Sequence, residues 1–139
     1  MYRVLVVEDN TEFYENELLR FFGELLPMDR IELVRVASLE EAMTVVNDPW
    51  DAILVDYFMG PAVPAPEGEE DGKRVKHGAD FVEVRRKLEK GGEPAQIIGI
   101  SNVQIGNALI VKAGASTSFN KSLLEEITRE VGRGLEAHA

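Results

Sequence analysis

A chain of 139 residues with 45% apolar content can build one hydrophobic core, and that much burial is foreign to a disordered chain. Its 25 acidic and 15 basic residues leave a formal charge of −10, which argues against binding nucleic-acid backbone or an anionic membrane surface. With no cysteine, a disulfide framework, a thiolate zinc site and a cysteine nucleophile are excluded.

The first apolar run, Val4–Val7, stops at Glu8 and Asp9. It is too short for a signal peptide or a membrane span, so the expected compartment is the cytoplasm. It reads instead as a first strand. Tyr14, Leu18, Phe21, Phe22 and Leu25 then recur at helical spacing, up to Pro27. Ile31–Val36 reads as a second strand. Ser38, with Glu41 three residues on, forms a capping box for a helix striped by Leu39, Ala42, Met43 and Val46. Trp50 is expected to pack at the entry of a third strand, Ala52–Val55. Phe81, Val84 and Leu88 mark a third helix, closed by Gly91 and Gly92. Ile97–Ile100 is a fourth strand. A shorter helix striped by Ile105, Ala108 and Leu109 ends at Gly114. Ser116–Phe119 is a weak fifth strand. Ser122 with Glu125 forms a second capping box, opening a helix on Leu123, Leu124, Ile127, Val131 and Leu135. Five strands alternating with five helices predict an α/β fold, a parallel sheet of repeated βα units in one domain spanning 1–139.

Residues 60–77 break this rhythm. The segment holds three of the six prolines and has no apolar periodicity, so it reads as a long loop between the third strand and the third helix. An acidic block (Glu67, Glu69, Glu70, Asp71) precedes a basic one (Lys73, Arg74, Lys76). The plain reading is a solvated excursion; the alternative is a lid or a docking segment.

In open α/β sheets, ligands bind beyond the carboxyl ends of the strands. Glu8 and Asp9 follow the first strand, Asp56 the third, Ser101 the fourth and Lys121 the fifth. Three carboxylates at about 4–5 Å repel by roughly 1 kcal/mol per pair in water, and by several times that at a protein-like dielectric. A divalent cation with oxygen ligands offsets this, and Lys121 adds positive charge. Metal, ammonium and hydroxyl around one carboxylate make a receptor for a phosphoryl group. The acidic pair has a plainer use as well, with Asp9 or Asn10 capping a helix from Thr11.

Val-Leu-Val-Val-Glu-Asp-Asn at 4–10, Ile-Leu-Val-Asp-Tyr-Phe-Met at 53–59, Ile-Ile-Gly-Ile-Ser at 97–101 and Gly-Ala at 114–115 followed by Lys121 together resemble the receiver domain of bacterial response regulators. The resemblance covers essentially the whole chain. It implies a doubly wound (βα)5 fold with the flavodoxin-like strand order 2-1-3-4-5 and helices on both faces. It implies that Asp56 is the phosphoacceptor and that Ser101 and Lys121 grip phosphoryl oxygens. Glu8, Asp9, Asp56 and the backbone carbonyl of Phe58 would hold Mg2+, or Mn2+. The implied donor is a sensor histidine kinase or a phosphotransfer protein, and the implied output is an unidentified protein target. That target would be met through the fourth helix, fifth strand and fifth helix. The chain would be no enzyme beyond its own phosphorylation and dephosphorylation, and a monomer or weak dimer without nucleic-acid or membrane partners. The positions that flank attacking water in this family fall on Phe58 and Val103, both apolar, so a long-lived phosphoryl group is expected.

This sequence departs from the family pattern at three points. Ser122 replaces the proline after the lysine. Ser118 stands three residues before the lysine, where the family has its switch aromatic; Phe119, one later, is expected to pack in the core. Gly78, matching the glycine that opens the third helix, lies 22 positions after Asp56, a gap enlarged by the 60–77 insertion. These departures leave an alternative in which a degenerate receiver serves as a phosphorylation-independent binding scaffold. Flavin carriers and aspartate-nucleophile phosphatases are disfavoured. Glu8 and Asp9 would repel a flavin phosphate, and Phe58 stands where such a phosphatase needs its second acid.

Overall fold

The structure, a computed structural model, describes residues 1–65 and 74–138. In chain order it contains β1 (Tyr2–Val7), α1 (Thr11–Phe13), a π-helical turn (Tyr14–Leu18) and α2 (Leu19–Leu25), these last three forming one continuous helix. A 3-10 turn (Met28–Arg30) leads to β2 (Ile31–Val36), α3 (Leu39–Thr44), β3 (Ala52–Val55), β4 (Val63–Pro64) and β5 (Arg74–Val75). Then follow α4 (Gly78–Leu88), β6 (Gln96–Ile100), α5 (Gln104–Ala113), β7 (Thr117–Phe119) and α6 (Leu124–Ala137). The main sheet is parallel, in the order β2-β1-β3-β6-β7. This is the doubly wound order that the sequence implied for its five principal strands.

Side chains alternate across the sheet because successive residues of a strand point to opposite faces. Leu5, Val7, Ile53, Val55 and Ile97 pack on one side with Leu39 of α3, Phe81 of α4 and Ile110 of α5. Val4, Val6, Leu54, Ile98 and Ile100 pack on the other with Phe22 of α2 and the α6 stripe Leu124, Ile127, Val131 and Leu135. Trp50 lies buried at the entry to β3, its indole N–H on Val45 O at 2.8 Å. Phe119 packs partly buried against the second of these cores, as expected.

The first capping box forms in its Ser38 half, with Glu41 reaching one residue beyond the cap. Ser38 Oγ accepts from Glu41 N at 3.1 Å, while Glu41 Oε1 takes the Ala37 N–H at 3.0 Å. The second does not. Asn120 Oδ1 captures both the N–H and the hydroxyl of Ser122, so α6 starts at Leu124 without a side-chain cap, and Leu123 is exposed. The α5 stripe is a further correction. Ile105 and Leu109 are exposed, and the helix buries Gly106, Asn107 and Ile110 instead. The cause is close approach at Gly106, where an added Cβ would stand 3.0 Å from the Tyr57 side chain and 3.1 Å from Ser101 Oγ. Only the face without a side chain can come that near.

The predicted loop 60–77 is not wholly irregular. Val63 pairs antiparallel with Val75 and Pro64 with Arg74, and Val75 is buried. The whole acidic block and Lys73 lie outside the described residues. His77, expected in solvent, stacks on Tyr57 at 4.4 Å. Among the described residues the one cis peptide is Gly60–Pro61, so Lys121–Ser122 is trans.

Candidate functional site

Register brings the site together. Val7 pairs with Val55 and Val55 with Gly99, so β1, β3 and β6 finish at one edge. Hydrogen bonds then continue the sheet for a residue, Glu8 N to Val36 O at 3.1 Å and Asp56 N to Val7 O at 3.0 Å. These bonds hold Glu8 and Asp56 side by side. Asn10, not Asp9, caps the helix, its Oδ1 accepting from Phe13 N at 3.0 Å. Asp9 therefore keeps its carboxylate for the edge and stays exposed. Glu8, Asp9 and Asp56 each offer an oxygen, and these oxygens lie within 4.8 Å of one another.

Lys121 reaches this cluster from beyond β7. Its Nζ stands 2.8 Å from Glu8 Oε1 and 3.1 Å from Asp56 Oδ2, and 4.8 Å above the Phe13 ring. Glu8 is wholly buried and Asp56 nearly so. Burial pushes the Glu8 carboxyl up to about 7, against the pull of the Lys121 ammonium and the Asn10 N–H. Burial likewise raises the Asp56 carboxyl, while Lys121 draws it down. Burial alone would lower Lys121, but Glu8 and Asp56 together hold its ammonium above the ordinary value. The pocket is thus short of positive charge: one ammonium serves three carboxylates. Hard oxygen donors at this spacing suit a small divalent cation.

Ser101 ends its strand fully buried, and its Oγ accepts from Val103 N at 3.2 Å. The structure thus gathers Glu8, Asp9, Asp56 and Lys121 into one cluster and leaves the Ser101 hydroxyl on its own loop. Phe58 lies two residues past Asp56, more than half exposed, with its N–H turned to the Asp56 carboxylate. Gly78 packs against the same strand end. Its N–H bonds Tyr57 O at 2.8 Å, and any Cβ there would overlap the Asp56 carbonyl.

Two residues at this edge escaped the sequence reading. Asn107 Nδ2 bonds Ser101 O at 2.9 Å and Phe119 O at 3.1 Å, tying the loop after β6 to β7. Arg35 reaches from β2 to the turn after β1. The only signals available were a polar residue within an apolar helix and a charge near the end of a Val/Ile strand.

No family model and no curated protein matches the sequence. Solved structures do match the fold. A CheY-like response regulator receiver domain protein from Methanospirillum hungatei JF-1 aligns over 99% of this chain and 98% of its own, at 18% identity and TM-score 0.62. The signal receiver domain of a DNA-binding response regulator (merR) from Colwellia psychrerythraea 34H aligns over 96% and 99%, at 20% identity and TM-score 0.65. A Burkholderia pseudomallei response regulator, solved with a phosphorylated aspartic acid, a calcium ion and citrate, aligns over 96% and 72%, at 18% identity and TM-score 0.64. The chain has the fold of CheY-like receiver domains over nearly its whole length. Among the described residues no helix is long and apolar enough to cross a membrane.

Proposed function

We propose that the chain is a phosphoacceptor receiver that takes a phosphoryl group onto Asp56 and thereby switches protein contacts. One observation carries this: Lys121 Nζ lies between Glu8 and Asp56, with the Asp9 carboxylate in reach, at the carboxyl edge of a receiver-type sheet. Glu8, Asp9, Asp56 and the Phe58 carbonyl would hold a magnesium or manganese ion. When bound, that ion would supply neutralisation of phosphoryl charge and of the crowded carboxylates. An Asp56 oxygen attacks the phosphorus of a phosphohistidine or a small acyl phosphate. The new O–P bond forms as the bond to the leaving group breaks. Lys121 neutralises a phosphoryl oxygen, and Ser101 turns from Val103 N to donate to another. The chain catalyses only its own phosphorylation and the return by water. A sensor histidine kinase or phosphotransfer protein is the donor class.

Output runs through α5, β7 and α6. A groove of about 500 Å³ lies between them, lined by Gln104, Ala108, Ser118, Phe119 and Leu123 among others. Ser101 sits one loop away, and Asn107 transmits its position to β7. The test is incubation with magnesium and acetyl phosphate, read by intact mass. Wild type should gain a phosphoryl adduct that Asp56→Ala lacks. Wild type without an adduct would overturn the proposal and leave the degenerate scaffold.

A further inference from the structure

Asp9 is the exposed member of the acidic cluster and stands on the three-residue connection Glu8–Asn10, which with Thr11, the first helical residue, turns the chain from β1 into its helix. Such a turn needs fastening if its carboxylate is to face two buried ones. Arg35 supplies it. Its Nε donates to the Glu8 carbonyl at 2.8 Å, and its Nη2 to Thr11 Oγ1 at 3.0 Å. The guanidinium lies 5.3 Å from the centre of the Tyr14 ring, where the π-helical turn begins. One planar fork therefore grips both ends of the turn from the neighbouring strand. Inside the turn, Asn10 N bonds Glu8 Oε2 at 3.0 Å, so fixing the turn also fixes the Glu8 carboxylate.

We infer that Arg35 is a positioning residue for the cation site, holding the Glu8–Thr11 turn so that Asp9 faces Glu8 and Asp56. This rests on the proposed cation site. Two effects of Arg35 oppose each other. Its positive charge repels a dication, whereas its fork sets the ligands in place. Lysine keeps the charge but offers a single point donor, which cannot span both acceptors. Glutamine removes the charge as well. If charge alone mattered, Arg35→Gln would bind the cation more tightly and Arg35→Lys would bind like wild type. Positioning predicts that both bind more weakly, by about tenfold, the lower end of what support residues contribute to metal sites.

The experiment titrates wild type, Arg35→Lys, Arg35→Gln and Asp9→Asn with manganese, following free ion by electron paramagnetic resonance, and repeats with magnesium by calorimetry. Arg35→Lys is also placed in the Asp9→Asn background. The expected results are weaker binding in both Arg35 variants and a smaller loss from Arg35→Lys in the Asp9→Asn background, because part of the effect of Arg35 runs through Asp9 and the rest through the Glu8 carboxylate. A general loss of structure would weaken both backgrounds alike. Binding by Arg35→Lys equal to wild type, or tighter binding by Arg35→Gln, overturns the role of Arg35. No binding by wild type at millimolar manganese overturns the site itself, a separate result. If Arg35→Gln fails to fold, Arg35→Lys still decides.

Discussion

At the scale of single residues, the proposed aspartyl phosphate should live as long as the groups flanking Asp56 allow. Phe58 and Val103 are both exposed and apolar, so neither can orient a water molecule. The phosphoryl group should persist for minutes or longer once the donor is removed, and Phe58→Asn should shorten its life. Loss of the label from wild type within seconds would contradict this. Glu89 provides a contrast far from the site. Burial opposes its ionisation, yet hydrogen bonds from Arg86, the Ala95 N–H and Arg85 hold its carboxyl below the usual 4.5. A carboxyl lowered on folding adds stability above its unfolded value, and that stability drains away as pH falls through the lower folded value. Glu89→Gln should therefore cost about 1–2 kcal/mol at neutral pH. The difference from wild type should shrink as denaturant melts are taken from pH 5 downward through the lowered carboxyl value. A difference that stays constant across that range would mean that the charge on Glu89 contributes nothing.

Among elements, the link between β6 and β7 invites a direct test. Asn107 serves the buried Ser101 carbonyl and the partly buried Phe119 carbonyl, and its removal leaves both without that donor. Asn107→Leu should cost about 1–3 kcal/mol in urea unfolding and speed amide exchange in β7 before it does so in β1. Equal protection of the two strands would count against the link. The same region shows what sequence could and could not convey. Runs such as Val4–Val7 and Ala52–Val55 were legible because strands buried on both faces need apolar side chains throughout. Asp56 and Lys121 were legible because strand ends address one edge. The facing of α5 was not, since Ile105, Ala108 and Leu109 carry a core-like stripe and only the contact at Gly106 turns it outward. Ser122 was misread for a similar reason. Its capping box with Glu125 is intact as a pattern, but Asn120 competes for the same hydroxyl. Arg35 offered no more than a charge near the end of its strand, because its partners are brought to it by strand pairing.

For the molecule as a whole, a formal charge of −10 and one ammonium among three clustered acids mean that a cation bound at the proposed site should also stabilise the fold. At a hundredfold excess over its dissociation constant, a ligand of the native state alone adds about 2.7 kcal/mol. Magnesium should raise the thermal midpoint of wild type beyond what sodium chloride of equal ionic strength achieves. Asp9→Asn should start more stable than wild type without metal, since it relieves repulsion, and should gain little when magnesium is added. A response to magnesium equal in both proteins would place the ion elsewhere. The β4–β5 pair matters in a different way. It sets Pro64 beside Arg74 while Met59 and Val75 anchor the stems in the core. A foreign peptide spliced between Ala65 and Arg74 would thus enter and leave at adjoining points. The chain carries a ready socket for a reporter, its first stem leaving the core at Met59, three residues after Asp56.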